Sequence, residues 1–75
     1  MPKLPVLKDK KMLQVLRKLG FFEHRQHGTS HLVMKHRDGR RTVVPIHPGR
    51  DIPPGTLLAI LKDINLKPGE LRELL

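Results

Sequence analysis

Apolar residues recur along this chain at two different periods. Met12, Leu16 and Leu19 fall at i, i+4 and i+7 with Leu13 beside them, the spacing of one stripe on an α-helix. A helix of about Asp9 to Leu19 is predicted, with Lys10, Lys11, Arg17 and Lys18 turned largely away from the stripe. Asp9 suits an amino-terminal cap, and Gly20 suits a left-handed stop. The period then shortens to two. Phe22 to His27 alternates weakly and reads as a strand, with Gly28 and Thr29 supplying a turn. A second strand runs from Ser30 or His31 to His36, with Leu32 and Met34 on one face and His31, Val33 and Lys35 on the other. Asp38-Gly39 between strand-like residues is a strong hairpin signal. It places a third strand, Arg41 to Ile46, antiparallel to the second.

Pro45, Pro48, Pro53 and Pro54 with Gly49 and Gly55 then interrupt regular structure, because proline lacks a backbone donor and restricts the residue before it. A second helix is expected from Pro54 or Thr56 to Asn65, where Leu57, Ile60, Leu61 and Ile64 share one face. Lys67-Pro68-Gly69-Glu70 opens a short last helix through Leu74, with Pro68 suited to its first turn. Two amphipathic helices are available to cover the one apolar face of a three-stranded meander. The fold class is therefore α+β: a two-layer sandwich of helix, three-stranded antiparallel sheet and helix, with a short C-terminal helix. The other sheet face is left open, and His31 and Lys35 lie on it.

Length and composition narrow the function. Seventy-five residues leave room for one small domain. The chain has no Cys, so disulfides and thiolate zinc sites are excluded, and the composition suits a reducing compartment. The longest apolar run, Leu57 to Leu61, is too short to span a bilayer, and residues 1–10 lack the apolar stretch of a secretory signal. A cytoplasmic protein without a membrane partner is expected. The formal charge is +8 and is unevenly spread: residues 1–50 hold 12 Lys and Arg against 3 Asp and Glu, whereas residues 51–75 hold 3 against 4. The basic surface is thus built by the first two thirds, where it would attract phosphate backbones or acidic proteins. Phe21 and Phe22 are the only aromatic rings of the Phe, Tyr and Trp type. Their scarcity disfavours single-strand reading by stacked bases and points to binding through charge and shape.

Few groups here can do chemistry. There is no Cys nucleophile, no phosphate-cradling Gly-Lys loop and no dinucleotide fingerprint. The one serine, Ser30, precedes His31. If both lie in one strand they project to opposite faces, which argues against a serine nucleophile activated by that histidine. All five histidines fall between residues 24 and 47, but their spacing on strands does not make a convergent zinc site, and neither metal nor cofactor is expected. His24, His27 and His36 read as half-exposed strand residues. His47, between Ile46 and Pro48, reads as a loop residue bonded to its neighbours or as an accessory group. His31 has the stronger claim to function, since it begins a strand beside a glycine-containing turn on the polar face. Imidazole is the side chain best suited to proton transfer near neutral pH.

At these residues the chain resembles a known family. The helix, Gly20-Phe21, Arg25-Gln26, Gly28-Thr29-Ser30-His31, Asp38-Gly39, Pro45-Ile46-His47 and Gly55-Thr56-Leu57 opening a helix are similar in order and spacing to the HicA toxins of bacterial toxin–antitoxin pairs. The likeness covers nearly the whole chain and treats residues 1–75 as a single HicA-like domain. It implies a double-stranded-RNA-binding-like fold, an mRNA interferase activity and neutralisation by a HicB-type antitoxin. The histidine of that family's Gly-Ser-His turn, its catalytic residue, corresponds to His31. Two positions depart from the pattern: Thr29 stands between Gly28 and Ser30, and Lys8 stands where a small polar residue usually precedes the first helix.

A mechanism follows from the chemistry of RNA, whose 2′-hydroxyl is an internal nucleophile. A neutral imidazole can take its proton as the oxygen attacks the adjacent phosphate. Cations stabilise the charge that builds on phosphorus, and Arg25, Lys35, Arg37, Arg40 and Arg41 are the candidates, with Ser30 and His47 as accessory groups. The acid that protonates the leaving 5′-oxygen is left open among His47, another His and a lysine. Two other classes fit the same basic surface: a non-catalytic RNA-binding module, distinguished by affinity without turnover, and a domain that docks an acidic protein.

Overall fold

The amphipathic stripe on the first helix needs a hydrophobic face to cover, and the meander that follows supplies one. The structure, a computed structural model, describes residues 4–27 and 30–75, with residues 25–27 described by backbone alone. The Gly28-Thr29 turn and the side chains of Arg25, Gln26 and His27 lie outside the described residues. Element order is α1 (Asp9–Lys18), β1 (Phe22–His27), β2 (His31–Lys35), β3 (Arg41–Pro45), α2 (Pro54–Ile64) and α3 (Pro68–Glu73). The strands form one antiparallel sheet in the order β1-β2-β3. This is the α+β arrangement that the two periods predict.

The core lies between the helices and one sheet face. Met12, Val15 and Leu16 of α1 meet Leu32, Met34 and Val44 of the sheet and Leu57, Ile60, Leu61 and Ile64 of α2 in one cluster of buried side chains. Leu71 of α3 and Leu7, Phe21 and Ile52 from the connections complete it. Thr42, on the core face of β3, is buried and donates its hydroxyl hydrogen to Asp63 of α2 at 2.9 Å. That bond satisfies a hydroxyl that would otherwise be costly to bury.

The helix ends explain the chain reversals. Gly20 follows α1 at φ +97°, and Gly20 N–H and Phe21 N–H donate to the carbonyls of Arg17 and Leu16, the pairing of a Schellman stop. Asp9 is not the cap expected from sequence. It is the first residue of α1, its carboxylate accepts the Lys10 N–H at 2.7 Å, and Lys8 occupies the cap position without a side-chain bond. Lys8 instead pairs with Asp51 at 3.1 Å, while Ile52 N–H donates to the Leu7 carbonyl, tying the amino-terminal strap to the loop before α2. The second and third strands each end one residue earlier than the alternation suggests, at Lys35 and Pro45.

His36, just past β2, is the largest departure from its expected role. Its ring packs edge-on against Phe21 with centroids 5.0 Å apart. Nδ1 accepts the Asp38 N–H at 3.1 Å, so the proton resides on Nε2, which donates to the Leu19 carbonyl at 3.1 Å. His36 therefore pins the Asp38-Gly39 turn onto the end of α1: it is half-buried, but it lies past the end of β2 and acts in packing.

Candidate functional site

Pairing register decides which side chains share the open face. In β2, His31, Val33 and Lys35 point away from the helices, as period two requires. Their partners on β3 are Pro45, Val43 and Arg41, and on β1 they are His27, Arg25 and Phe22. Three rows result. Phe22, Lys35 and Arg41 form one end, Arg25, Val33 and Val43 the middle, and His27, His31 and Pro45 the other end. A bulge between Glu23 and Arg25, with His24 as the extra residue, sets the register in which β1 pairs with β2. His24 itself is exposed.

His31 is exposed at the start of β2. Ser30 is half-buried in the preceding turn, and its hydroxyl lies 3.3 Å from His31 Nδ1. Strand alternation had argued against that contact. It forms because Ser30 belongs to the turn, where alternation does not apply. Ser30 is in turn fixed by the end of β3, since Ile46 N–H donates to its carbonyl at 2.7 Å. The same bond brings the Pro45-Ile46-His47 step alongside the histidine. His47 is exposed on the loop after β3, with no ring hydrogen bond among the described residues, and its carbonyl accepts the Arg50 N–H. Pro45, His47 and Arg50 line, with Asp9 and Asp51, a crevice of about 10 Å³, too small to hold a ligand. Arg50 is a cation that sequence reasoning missed, because nothing in a proline-broken loop signals that it returns toward β3.

The other candidate cations do not converge on His31. Lys35 is half-buried and Arg41 exposed in the row at the far end of the sheet. Four residues along β2 separate Lys35 from His31, a distance of ~13 Å. Arg37 is exposed in the hairpin turn beyond them. Arg40 is turned to the helix side and bound there: Nη1 donates to the Ile64 carbonyl at 2.6 Å, Nε donates to Asp38 at 2.7 Å, and its guanidinium sits 5.0 Å from the Phe21 ring centroid. It clamps the hairpin to α2 and adds no free charge to the open face. Of the five, Arg25 alone holds a register position one row from His31. The Arg40 backbone N–H, followed by its side chain, holds the Asp38 carboxyl below its ordinary pKa.

A small α+β domain with an open basic sheet, a histidine at one end and no helix long and apolar enough to cross a membrane among the described residues defines the class of this protein. Residues 10–66 match the family model for the HicA toxin of bacterial toxin-antitoxin, and the chain belongs to that family. It is the toxin of a toxin–antitoxin system. No curated protein matches it.

Proposed function

We propose that this toxin is an endoribonuclease that cuts mRNA at the ribose 2′-hydroxyl, with His31 as general base, and that a HicB-like antitoxin silences it by covering the open sheet. Carrying this reading is the exposed His31 beside the Ser30 hydroxyl in a chain of the toxin family. In the tautomer that holds its proton on Nδ1, His31 donates to Ser30 Oγ, which leaves the Nε2 lone pair directed to solvent. Ser30 is then a positioning residue. The substrate 2′-hydroxyl gives its proton to Nε2 as its oxygen bonds to phosphorus. The bond from phosphorus to O5′ breaks, and that oxygen takes a proton from an acid, for which His47 is the candidate because the Ile46 N–H bond to the Ser30 carbonyl ties its loop to the turn before His31.

Because RNA brings its own nucleophile, the step needs neither metal nor cofactor. Lys35, Arg37 and Arg41 are too far down the sheet to touch the reacting phosphate and act by holding flanking phosphates. Arg25, whose register position is one row from His31, is the candidate for stabilising the charge on phosphorus. The experiment is cleavage of an oligoribonucleotide in the presence of EDTA, beside the same oligomer carrying a single 2′-deoxy substitution. Cutting of the first into a 2′,3′-cyclic phosphate and sparing of the second at the modified position are expected. His31→Ala abolishes cutting and toxicity while the fold persists, since an exposed strand-end side chain contributes little packing. Cutting of DNA, or full activity in a folded His31→Ala protein, refutes it. Affinity without turnover in the native chain selects the non-catalytic RNA-binding module instead.

A further inference from the structure

Phe21 and Phe22 are adjacent in sequence and opposite in fate. Phe21 is 3% exposed in the core, whereas Phe22 is 48% exposed on the open sheet face. A large ring left in water on a basic surface is a feature the general-base mechanism does not use. Phe22 pairs with Lys35, and Lys35 with Arg41, so the ring begins a row that ends in two cations. Directly opposed side chains have Cβ atoms ~5 Å apart. Behind this row Val43 is 36% exposed, whereas Val33 is buried at 1%.

From this row we infer that Phe22 is a base-stacking subsite: an unpaired RNA base lies on its ring while the adjoining phosphates contact Lys35 and Arg41. This deepens the ribonuclease reading and rests on it for the identity of the substrate. An aromatic face with cations beside it is the arrangement by which proteins hold single-stranded nucleic acid, since every base has a π-face and every nucleotide a phosphate. The ~13 Å between the Lys35 row and His31 exceeds the reach of one nucleotide, so the stacked base belongs to a nucleotide farther along the strand than the one next to the ribose that is cut. A duplex would keep its bases stacked on one another and offer none to the ring, so the subsite selects single-stranded message. Low aromatic content by itself points to charge and shape alone. One ring suffices when the sheet presents it beside two cations.

The chain contains no Trp and no Tyr, so Phe22→Trp introduces a sole indole reporter at the subsite. In a Phe22→Trp, His31→Ala protein, which binds without cutting, saturation with a short single-stranded oligoribonucleotide should quench the indole emission. The same sugar–phosphate chain without bases should bind more weakly and leave the emission unchanged. Phe22→Ala and Phe22→Leu, each in the His31→Ala background, should bind the oligoribonucleotide about five- to a hundredfold more weakly than Phe22, with Trp restoring the affinity. Leu keeps apolar area without a π-face and so separates stacking from plain hydrophobic contact. Unchanged affinity in the Leu variant, unquenched emission at saturation, or equal binding of the base-free chain overturns the inference and assigns the ring to a protein contact. Failure of the native protein to cut RNA overturns the ribonuclease reading but leaves these binding results to stand or fall separately.

Discussion

Replacing Lys35 and Arg41 together by Ala tests whether the far row of the sheet binds substrate or takes part in bond breaking. Four residues of β2 place Lys35 ~13 Å from His31. At that distance two unit charges in water interact by about 0.3 kcal/mol before screening, and salt reduces this further, because the Debye length near 0.15 M is only ~8 Å. Losing either cation should therefore lower the cleavage step by less than about twofold. Binding responds differently. Each phosphate contact to a single strand contributes about 0.7 to the slope of log affinity against log salt, so two lost contacts should flatten it by about 1.4 and weaken binding roughly tenfold near 0.15 M. Single-turnover cleavage over a range of protein and salt concentrations measures both quantities, the maximal rate and the half-saturating concentration. A tenfold fall in maximal rate with unchanged half-saturation refutes the reasoning, because it would mean that these cations reach the reacting phosphate.

Two further outcomes concern the scaffold behind the site. Gly20→Ala sets a Cβ at φ +97° and 2.9 Å from His36 Nε2, so left-handed strain and disturbance of the His36 bond to Leu19 should together cost ~2–4 kcal/mol. In a domain of this size that is a fall of about 10–25 °C in Tm. Thermal unfolding in a His36→Ala background should recover the part due to the clash, and an equal cost in both backgrounds would show that backbone strain acts alone. Asp38 has its pKa lowered by folding, so its bonds to Arg40 stabilise the protein above the unfolded carboxylate value of ~3.9. That contribution is lost as pH falls through the lower folded value. Acid unfolding of Asp38→Asn should be less steep in this window than that of the native chain, and identical curves would remove Asp38 from the account of hairpin stability.

Most of the fold, and the face of the sheet on which the candidate His31 lies, is legible in the sequence, and the reason is periodicity. Alternation in β2 placed His31 and Lys35 on one face and Leu32 and Met34 on the other, because successive strand side chains must point to opposite sides. Spacing along α2 named Leu57, Ile60, Leu61 and Ile64, all of which are buried. Residues in turns obey no such rule. Alternation therefore gives no sign of the contact between Ser30 and His31, nor that the half-buried His36, one step past the strand, holds the hairpin to α1.

The sequence by itself determined the order of elements, the buried face of each and the sign of the exposed charge, since these depend on neighbours within one helical turn or one strand. Only the tertiary structure decided which charges act together. Antiparallel register sends Lys35 and Arg41 to the opposite end of the sheet from His31 and brings Phe22 into their row, while a bulge in β1 sets where Arg25 falls. Arg40, indistinguishable from Arg41 in the chain, is bound to the end of α2. These outcomes depend on backbone hydrogen bonds between segments remote in sequence, and local pattern carries no trace of a one-residue shift in pairing.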